Sequence, residues 1–278
     1  RLVQNSNTKF KRNNDLRVVE FSKAINILKN INWNFSQKVL SHPNKITPFN
    51  CRKYHWFPST FIPEIPFTLI EVLTLPGAIV YDPFSGIGTT YFQALILDRL
   101  PFALENNSVA VAYMQDLFKL FDPNINYNKL KDDINSIFSD FNPDCNYAVN
   151  NGQEEIISNL NPWFSARTMN TIAYLMSRTS QIQDEFINAA IRITISSMLK
   201  NVSSQDRGWG CIADNVLPKK DQIKDKNVLK LFSKNLNVLL GDISLCKKNL
   251  NAEFSSNYDF LKANTIIKGD IRADDEIQ

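Results

Sequence analysis

The sequence predicts an α/β fold in which an incomplete parallel sheet carries a large α-helical insertion. A short apolar, β-favouring run at residues 78–81 leads through a glycine-bearing turn into a helical pattern over residues 89–97. A second apolar run at residues 101–104 lies where the next strand of a βα unit belongs. From residue 126 to about residue 250, apolar residues recur at three- and four-residue spacing, which is typical of packed helices.

The composition is that of an ordinary globular protein. Of the 278 residues, 44% are hydrophobic and 21% are charged, which is enough apolar material for one large domain or two small ones. No apolar run approaches the roughly 20 residues that span a bilayer, and no signal peptide opens the chain, so we expect a cytoplasmic protein. The four cysteines lie far apart without a C-x-x-C pair, and the chain has two histidines. This pattern argues against a zinc site and for reduced thiols.

The positive charge is concentrated near the start of the chain. Residues 1–60 hold 11 of the 31 lysines and arginines but only two acidic residues, whereas the other residues carry a net charge of −6. We interpret residues 1–50 as a basic N-terminal arm. A basic arm on an acidic body indicates a polyanionic partner, with DNA or RNA phosphate as the obvious one. A solvated, lysine-rich terminus explains the charge equally well.

The chain is organised around residues 78–90, AIVYDPFSGIGTT. Asp82 and the proline after it end the strand, because proline cannot donate to a sheet ladder. Gly86 and Gly88 then allow the backbone to approach a ligand closely, and the next helix brings free N–H groups beside it. Tyr91 stands where a dinucleotide fingerprint has its third glycine, and no G-K-[ST] follows. The turn therefore matches neither that fingerprint nor a P-loop.

The string DPFSGIGTT closely resembles motif I of the amino-methyltransferases that modify adenine N6 or cytosine N4 in DNA. In that family the loop wraps S-adenosylmethionine (SAM), and the resemblance implies a Rossmann-like SAM-dependent methyltransferase sheet. The alternative is a glycine-bearing strand-to-helix turn of some other α/β protein. The cofactor-binding residues that the resemblance implies within this loop are Asp82, Phe84, Gly86, Gly88, Thr89 and Thr90.

A proline-rich segment before the loop resembles a second motif of the same family. His55, Phe57 and Pro58 match the form H-x-(F/Y)-P, known as motif X, which in the family packs against the methionine end of SAM. A lone histidine is usually structural, so this match depends on the nearby motif I. Together the motifs indicate that residues 51–125 form the first part of a SAM-binding α/β core.

The second predicted strand ends in Glu105, 19 residues after Gly86. A carboxylate at this place in α/β nucleotide-binding folds accepts hydrogen bonds from ribose hydroxyls. The three polar residues at 106–108, NNS, then cap a helix predicted over residues 109–121. The stretch LENNSVAVAY resembles the family's motif II, in which the acidic residue holds the SAM ribose. The alternative role for Glu105 is a surface loop charge.

Residues 126–255 are predicted to form the helical insertion, with four to six helices. Within it, residues 161–164, NPWF, look like the catalytic tetrapeptide N-P-P-(Y/F), but the second proline is absent and a helical pattern follows at once. We interpret them as the start of a helix, as in a similar W-F-x-x-x-T/V segment of one branch of the family. The stretch RGWGC at residues 207–211 is either a nucleic-acid-facing loop or an ordinary turn.

The last segment, residues 256–278, is predicted to return to the α/β core, with a strand pattern over residues 264–271. Its run IIKGDIR resembles the strand that leads into the family's motif III, where an aspartate lies near the SAM adenine amino group. The resemblance assigns this place to Asp270. A Gly-Asp pair is also a very common turn, so the assignment depends on position and resemblance.

Methyl transfer to an exocyclic amine requires groups that accept the amine's hydrogens and hold it in line with the methyl group. The family uses (D/N/S)-P-P-(Y/F/W), whose aromatic residue stacks on the extruded base. No such tetrapeptide occurs in the sequence, and the motif order predicts it after Gln278, so we expect no catalytic residue in this chain. The chain is then expected to be part of a longer enzyme, one half of a split enzyme completed by a second chain, or a SAM-binding module without activity.

The resemblance implies a site-specific DNA methyltransferase that transfers a methyl group from SAM to cytosine N4 or adenine N6, in a restriction-modification system or a related one. Double-stranded DNA is the expected partner, SAM the expected cofactor, and no metal is expected. One alternative is a non-catalytic SAM- and DNA-binding subunit. The other is an RNA methyltransferase, since some RNA guanosine N2 enzymes share a D-P-F-x-G-x-G-T loop.

Overall fold

A computed structural model describes residues 21–31, 33–34, 46–147, 159, 161–205, 217–248, 250 and 252–272 of the chain. All eleven residues predicted to bind the cofactor lie within these ranges. Most of the predicted N-terminal arm, the predicted loop at residues 207–211 and the end of the chain at Gln278 lie outside them.

The described part of the chain is mixed α/β and mostly helical, which confirms the α/β class. Its strands are β1 (Ile79–Asp82), β2 (Leu100–Glu105) and β3 (Ile266–Lys268), and they form a three-stranded parallel sheet in the order β1-β2-β3. The first two strands were predicted to within one or two residues. β3 begins later than the predicted strand at residues 264–271, because the helix before it runs through residue 264.

The helices of the described residues lie mostly between β2 and β3 in the sequence. Among the described residues, no helix is both long and apolar enough to cross a membrane. Short 3-10 turns occupy Cys51–Lys53, Asn161–Trp163 and Lys220–Gln222. The α-helices are α1 (Phe21–Lys29), α2 (Glu64–Leu73), α3 (Thr89–Ile96), α4 (Ser108–Lys119), α5 (Tyr127–Ile137), α6 (Ala166–Thr179), α7 (Glu185–Val202), α8 (Val228–Lys247) and α9 (Ala252–Asn264).

Local sequence signals explain where several helices begin. Asn107 caps α4, because its side chain accepts hydrogen bonds from the backbone N–H groups of Val109 and Ala110. Ser165 caps α6 through the N–H of Thr168, so the NPWF stretch precedes a helix as predicted. Such a cap contributes about 1 kcal/mol to stability. Helix α2 begins at Glu64, directly after Pro63 and with Pro66 in its first turn, because proline fits the first turn of a helix.

The chain forms two compact units, of residues 1–125 with 242–278 and of residues 126–241. Residues 242–255, which were predicted to belong to the helical insertion, fall within the first of these units. Two polar contacts link these residues to the rest of the first unit. Asp242 accepts a hydrogen bond from the Tyr54 hydroxyl at 2.6 Å, and Lys247 Nζ donates to the carbonyl of Asp122 at 2.6 Å.

The core of the first unit is strongly aromatic where residues 46–50 meet helix α3. Phe49 packs edge-on against Phe92 and Phe121, with ring centroids 5.7 and 5.5 Å away. All three rings are buried. Gln93, also buried, accepts from the Phe49 N–H at 3.0 Å and donates to the Phe49 carbonyl at 2.7 Å. Residues 46–50 are thereby fixed to the helix that follows the glycine turn.

Candidate ligand-binding site

The candidate site lies at the carboxyl edge of the sheet. β1 ends at Asp82 and β2 at Glu105, and the N–H of Gly269, just after β3, donates to the Glu105 carbonyl at 3.1 Å. The carboxyl ends of parallel strands meet at one edge, so the sheet places all three predicted acidic residues, Asp82, Glu105 and Asp270, on that edge.

The glycine turn is tied to the neighbouring strand by its own serine. The N–H and the hydroxyl of Ser85 both donate to the carbonyl of Leu104, at 3.2 and 3.1 Å. The N–H of Phe84 donates to the Asp82 carboxylate at 3.1 Å, while the Phe84 ring is 75% exposed. The turn is therefore held from both sides, and an apolar ring projects into solvent at its tip.

The two glycines of the turn have different structural roles. Both have positive φ angles, +53° for Gly86 and +83° for Gly88. A Cβ atom added at Gly88 would lie 2.8 Å from the Met114 sulfur and 3.1 Å from the Phe92 ring, and both of these side chains are fully buried. A Cβ atom at Gly86 would meet only the Phe57 ring, at 3.5 Å. Gly88 thus allows close packing of α3, whereas Gly86 lies beneath the Phe57 ring at ordinary contact distance.

Glu105 joins the glycine turn to the start of α4. Its Oε2 accepts from the Gly86 N–H at 2.7 Å, and its Oε1 accepts from the Asn107 N–H at 2.8 Å. An ionised carboxylate has about four acceptor positions, so two backbone donors leave capacity for two ligand hydroxyls. The contact with Gly86 was not predicted from the sequence. Glu105 therefore holds the glycine turn in place and also offers hydrogen-bond acceptor positions beside it.

The structure brings the predicted motif X onto the glycine turn. Phe57 lies against Gly86, and its ring centroid is 6.2 Å from that of His55. The His55 ring in turn lies 5.1 Å from the Tyr113 ring of helix α4, and Pro58 is exposed. Two motifs that are about 30 residues apart in the sequence thus form one wall of the candidate site.

Residues that the sequence analysis did not identify hold this wall in place. The Tyr113 hydroxyl donates to the Cys51 carbonyl at 2.5 Å. The Tyr54 hydroxyl and Lys53 Nζ both donate to Asp242 Oδ2, at 2.6 and 2.8 Å. Burial, and then the carboxylate of Asp242, raise the pKa of Tyr54, so this hydroxyl stays protonated and remains a donor. No local pattern could have revealed a partner 188 residues away.

The remaining predicted residues occupy two different environments. Thr89 is buried at the start of α3 with its hydroxyl 3.9 Å from the Cys51 sulfur, and Thr90 is half-buried beside it. Gly88 is the N-cap of α3, and no side chain caps the helix there. Asp270 is held by Arg272, whose Nε donates at 2.9 and 3.1 Å and lowers the pKa of the carboxyl to about 2. A ligand amine at Asp270 would have to share that carboxylate with Arg272.

His55 makes the stability of the first unit sensitive to pH. Burial lowers the pKa of the imidazole below its ordinary value, so the unfolded chain binds a proton more readily than the folded one. The folding free energy contributed by neutral His55 is therefore present above the unfolded pKa of about 6.5 and is lost as the pH falls toward the folded pKa. We expect urea midpoints to fall between pH 7.5 and pH 5.5, and to fall less in His55→Gln. Equal losses in the two proteins would show that His55 does not contribute.

The described cysteines are expected to differ sharply in reactivity. Cys51 and Cys246 are buried, and burial raises the pKa of each thiol to about 12, whereas Cys145 is exposed. The thiolate is the reactive form, so at pH 8 we expect both buried thiols to react with a maleimide roughly 100-fold more slowly than Cys145, or slower still. Peptide mapping by mass spectrometry measures the three rates, with the urea-unfolded chain as control. Similar rates for Cys51 and Cys145 in the folded chain would contradict the burial.

The described residues contain no group of three or more side chains suited to hold a metal ion. Comparisons with protein-family models, with curated proteins and with solved structures found no match. The candidate site is thus defined by its own geometry: a glycine turn, a carboxylate bonded to that turn, and an aromatic wall over it.

Proposed function

We propose that the chain binds SAM at the carboxyl edge of its sheet and forms the cofactor-binding part of a DNA amino-methyltransferase. The observation that carries the proposal is the contact of Glu105 and Phe57 with the same glycine, Gly86. Through these contacts, the three segments that resemble the family's motifs lie together, as a nucleoside-binding site requires.

The sheet supports a Rossmann-like assignment. Doubly wound nucleotide-binding sheets have the strand order 3-2-1-4-5-6 and bind their ligands at the carboxyl edge beside strand 1. The observed parallel order β1-β2-β3 corresponds to the first half of that arrangement. The glycine turn follows β1, where such folds hold the phosphate or sulfonium part of the ligand. Glu105 ends β2, where such folds hold the ribose.

Each part of the proposed cofactor has residues suited to it. The free acceptor positions of Glu105 suit the two ribose hydroxyls. The aromatic wall of His55 and Phe57 suits the methionine end, and Asp270 lies on the side of β3, where the adenine is expected. SAM supplies an electrophilic methyl group carried on a sulfonium centre. Asp82 contributes negative charge at the end of β1, near the turn.

We further propose that the groups which hold the target amine come from outside these 278 residues, from a second chain or a further segment. Within the described residues β1 pairs only with β2, and its apolar residues Ile79 and Tyr81 are 56% and 48% exposed. An open strand edge beside exposed apolar side chains is a surface on which another strand can add. This surface lies next to the carboxyl edge where the methyl group would be presented.

Isothermal titration calorimetry of the purified chain tests the proposal. We expect saturable binding of SAM and of S-adenosylhomocysteine, and no binding of ATP or NAD at the same concentrations. Asp82→Ala is expected to weaken SAM binding strongly. Absence of SAM binding by the folded protein would refute the proposal.

Radiolabel transfer from SAM to duplex DNA, with transfer RNA as the competing substrate, distinguishes the functional classes. Labelled DNA identifies a complete enzyme, and labelled transfer RNA identifies an RNA methyltransferase. SAM binding without transfer identifies the cofactor-binding part alone.

A further inference from the structure

The helical unit carries a concentrated lysine surface. Residues 217–234 contain six lysines and two aspartates, a net charge of +4, and all six lysine side chains are exposed. Within the described part of the chain, none of the six forms an ion pair. The lysine surface consists of Lys219, Lys220, Lys224, Lys226, Lys230 and Lys234.

The backbone beneath these lysines is anchored to the helices of the same unit. The N–H of Lys224 donates to the Ser204 hydroxyl at 3.3 Å, and the N–H of Lys226 donates to the Thr168 hydroxyl at 3.0 Å. The N–H of Ser204 donates to the Trp163 carbonyl at 2.7 Å. Residues 224–226 are therefore hydrogen-bonded to the end of α7 and the start of α6. The backbone that carries the charged side chains is held in place by these bonds.

Two residues of the lysine surface lie on α8 and are exposed because that helix is amphipathic. Phe232 and Leu236 are buried on one side of this helix. Lys230 and Lys234 are four residues apart, so they lie one turn apart on the same exposed stripe. These two ammonium groups thus form a pair of neighbouring positive charges on a rigid element.

Acidic residues lie at the opposite end of α7. Asp184 caps the start of that helix and Glu185 is its first residue, whereas Ser204 follows its end. An 18-residue helix is about 27 Å long, so these carboxylates are well beyond one Debye length from the anchoring point of Lys224. The carboxylates at the start of α7 are therefore too far away to cancel the positive field at Lys224. Asp221 and Asp225 lie within the segment and are already counted in its net charge of +4.

We propose that the lysine surface binds the phosphate backbone of duplex DNA. The proposal rests on the proposed function, which supplies DNA as the substrate, and adds the part of the chain that contacts it. Lysine is a compact charge suited to phosphate without sequence readout. Proteins that bind single strands stack bases on exposed aromatic rings, and the only aromatic residue of residues 217–234 is the buried Phe232. The chemistry of the surface therefore fits a double-stranded backbone.

Fluorescence anisotropy with a labelled 24-base-pair duplex, at a series of salt concentrations, tests the proposal on the full chain. The test variant is K230Q/K234Q. The matched control is K129Q/K131Q on α5, which removes the same charge from another helix of the unit, beside Asp132 and Asp133. Each lost phosphate contact lowers the slope of log affinity against log salt by about 0.9, so we expect the test variant to lose about 1.8 in slope. We also expect it to bind DNA about tenfold more weakly at 0.1 M salt, while the control matches the unchanged protein.

Three results would overturn the proposal: an unchanged slope in the test variant, an equal loss in the control, or tighter binding of transfer RNA than of duplex DNA through the same lysines. Circular dichroism and thermal unfolding establish that both variants are folded. SAM titration of the same proteins separates this inference from the proposed function. Loss of DNA binding with SAM binding intact supports the lysine surface, whereas absence of SAM binding in the unchanged protein refutes the proposed function alone.

Discussion

Replacing Gly88 with alanine is expected to be the most destabilising single substitution in the glycine turn. A side chain at φ +83° costs about 1 to 2 kcal/mol, and overpacking a filled core adds about 1 to 3 kcal/mol, so we expect a loss of about 3 kcal/mol in the free energy of unfolding. The overpacking arises because the new Cβ atom would lie within 3.1 Å of both Met114 and Phe92. Urea unfolding followed by tryptophan fluorescence measures the loss.

Gly77→Ala provides the matched control for this substitution. Gly77 has nearly the same backbone angle, φ +79°, but a Cβ atom there would have no neighbour within 4 Å. Its alanine variant is therefore expected to lose only the conformational part, about 1 kcal/mol. The difference between the two variants measures the packing at Gly88. Equal losses would mean that α3 does not pack against α4 as closely as the structure places it.

Replacing Glu105 with glutamine is expected to weaken SAM binding by about 10- to 100-fold. Hydrogen bonds to a charged group contribute roughly 1.5 to 3 kcal/mol each, and the amide that replaces the carboxylate offers one acceptor oxygen instead of two. The N–H groups of Gly86 and Asn107 would compete for that oxygen with the ribose hydroxyls. Calorimetric titration of both proteins with SAM measures the change in affinity.

Asp259→Asn is the control for the loss of charge, because Asp259 is an exposed carboxylate on α9 in the same unit. Its SAM affinity is expected to equal that of the unchanged protein. Glu105→Asp keeps the charge but draws the carboxylate back by one methylene, so an intermediate affinity is expected. If Glu105→Gln binds SAM within twofold of the unchanged protein while remaining folded, Glu105 does not hold the ligand and serves only the turn.

Much of the first unit could be predicted because its signals are local. The apolar runs of β1 and β2, the Asp-Pro stop and the two glycines lie within about 30 residues of one another. Each determines the backbone of its own neighbourhood through sterics and hydrogen bonding. The cap of α4 at Asn107 is equally local, and it was predicted to within one residue.

The residues that hold the candidate site together escaped prediction because their partners are distant in the sequence. Glu105 was identified for a ribose, but its bond to the Gly86 N–H depends on the pairing of β1 with β2. Tyr54 donates a hydrogen bond to Asp242 because the last residues of α8 belong to the first unit. The helical period of α8 continues unchanged through residue 242, so the sequence pattern gives no sign of the boundary between the two units there.

The sequence by itself determined the α/β class, the glycine turn and the positions of the carboxylates that end β1 and β2, because these follow from local apolar patterning and backbone sterics. Only the tertiary structure decided that Phe57 lies over Gly86, that Glu105 is bonded to the turn, and that the lysines of residues 217–234 stand on an anchored backbone. The physical reason is the same in each case. These contacts join groups whose separation in space is fixed by packing and strand register, and no pattern of neighbouring residues encodes that separation.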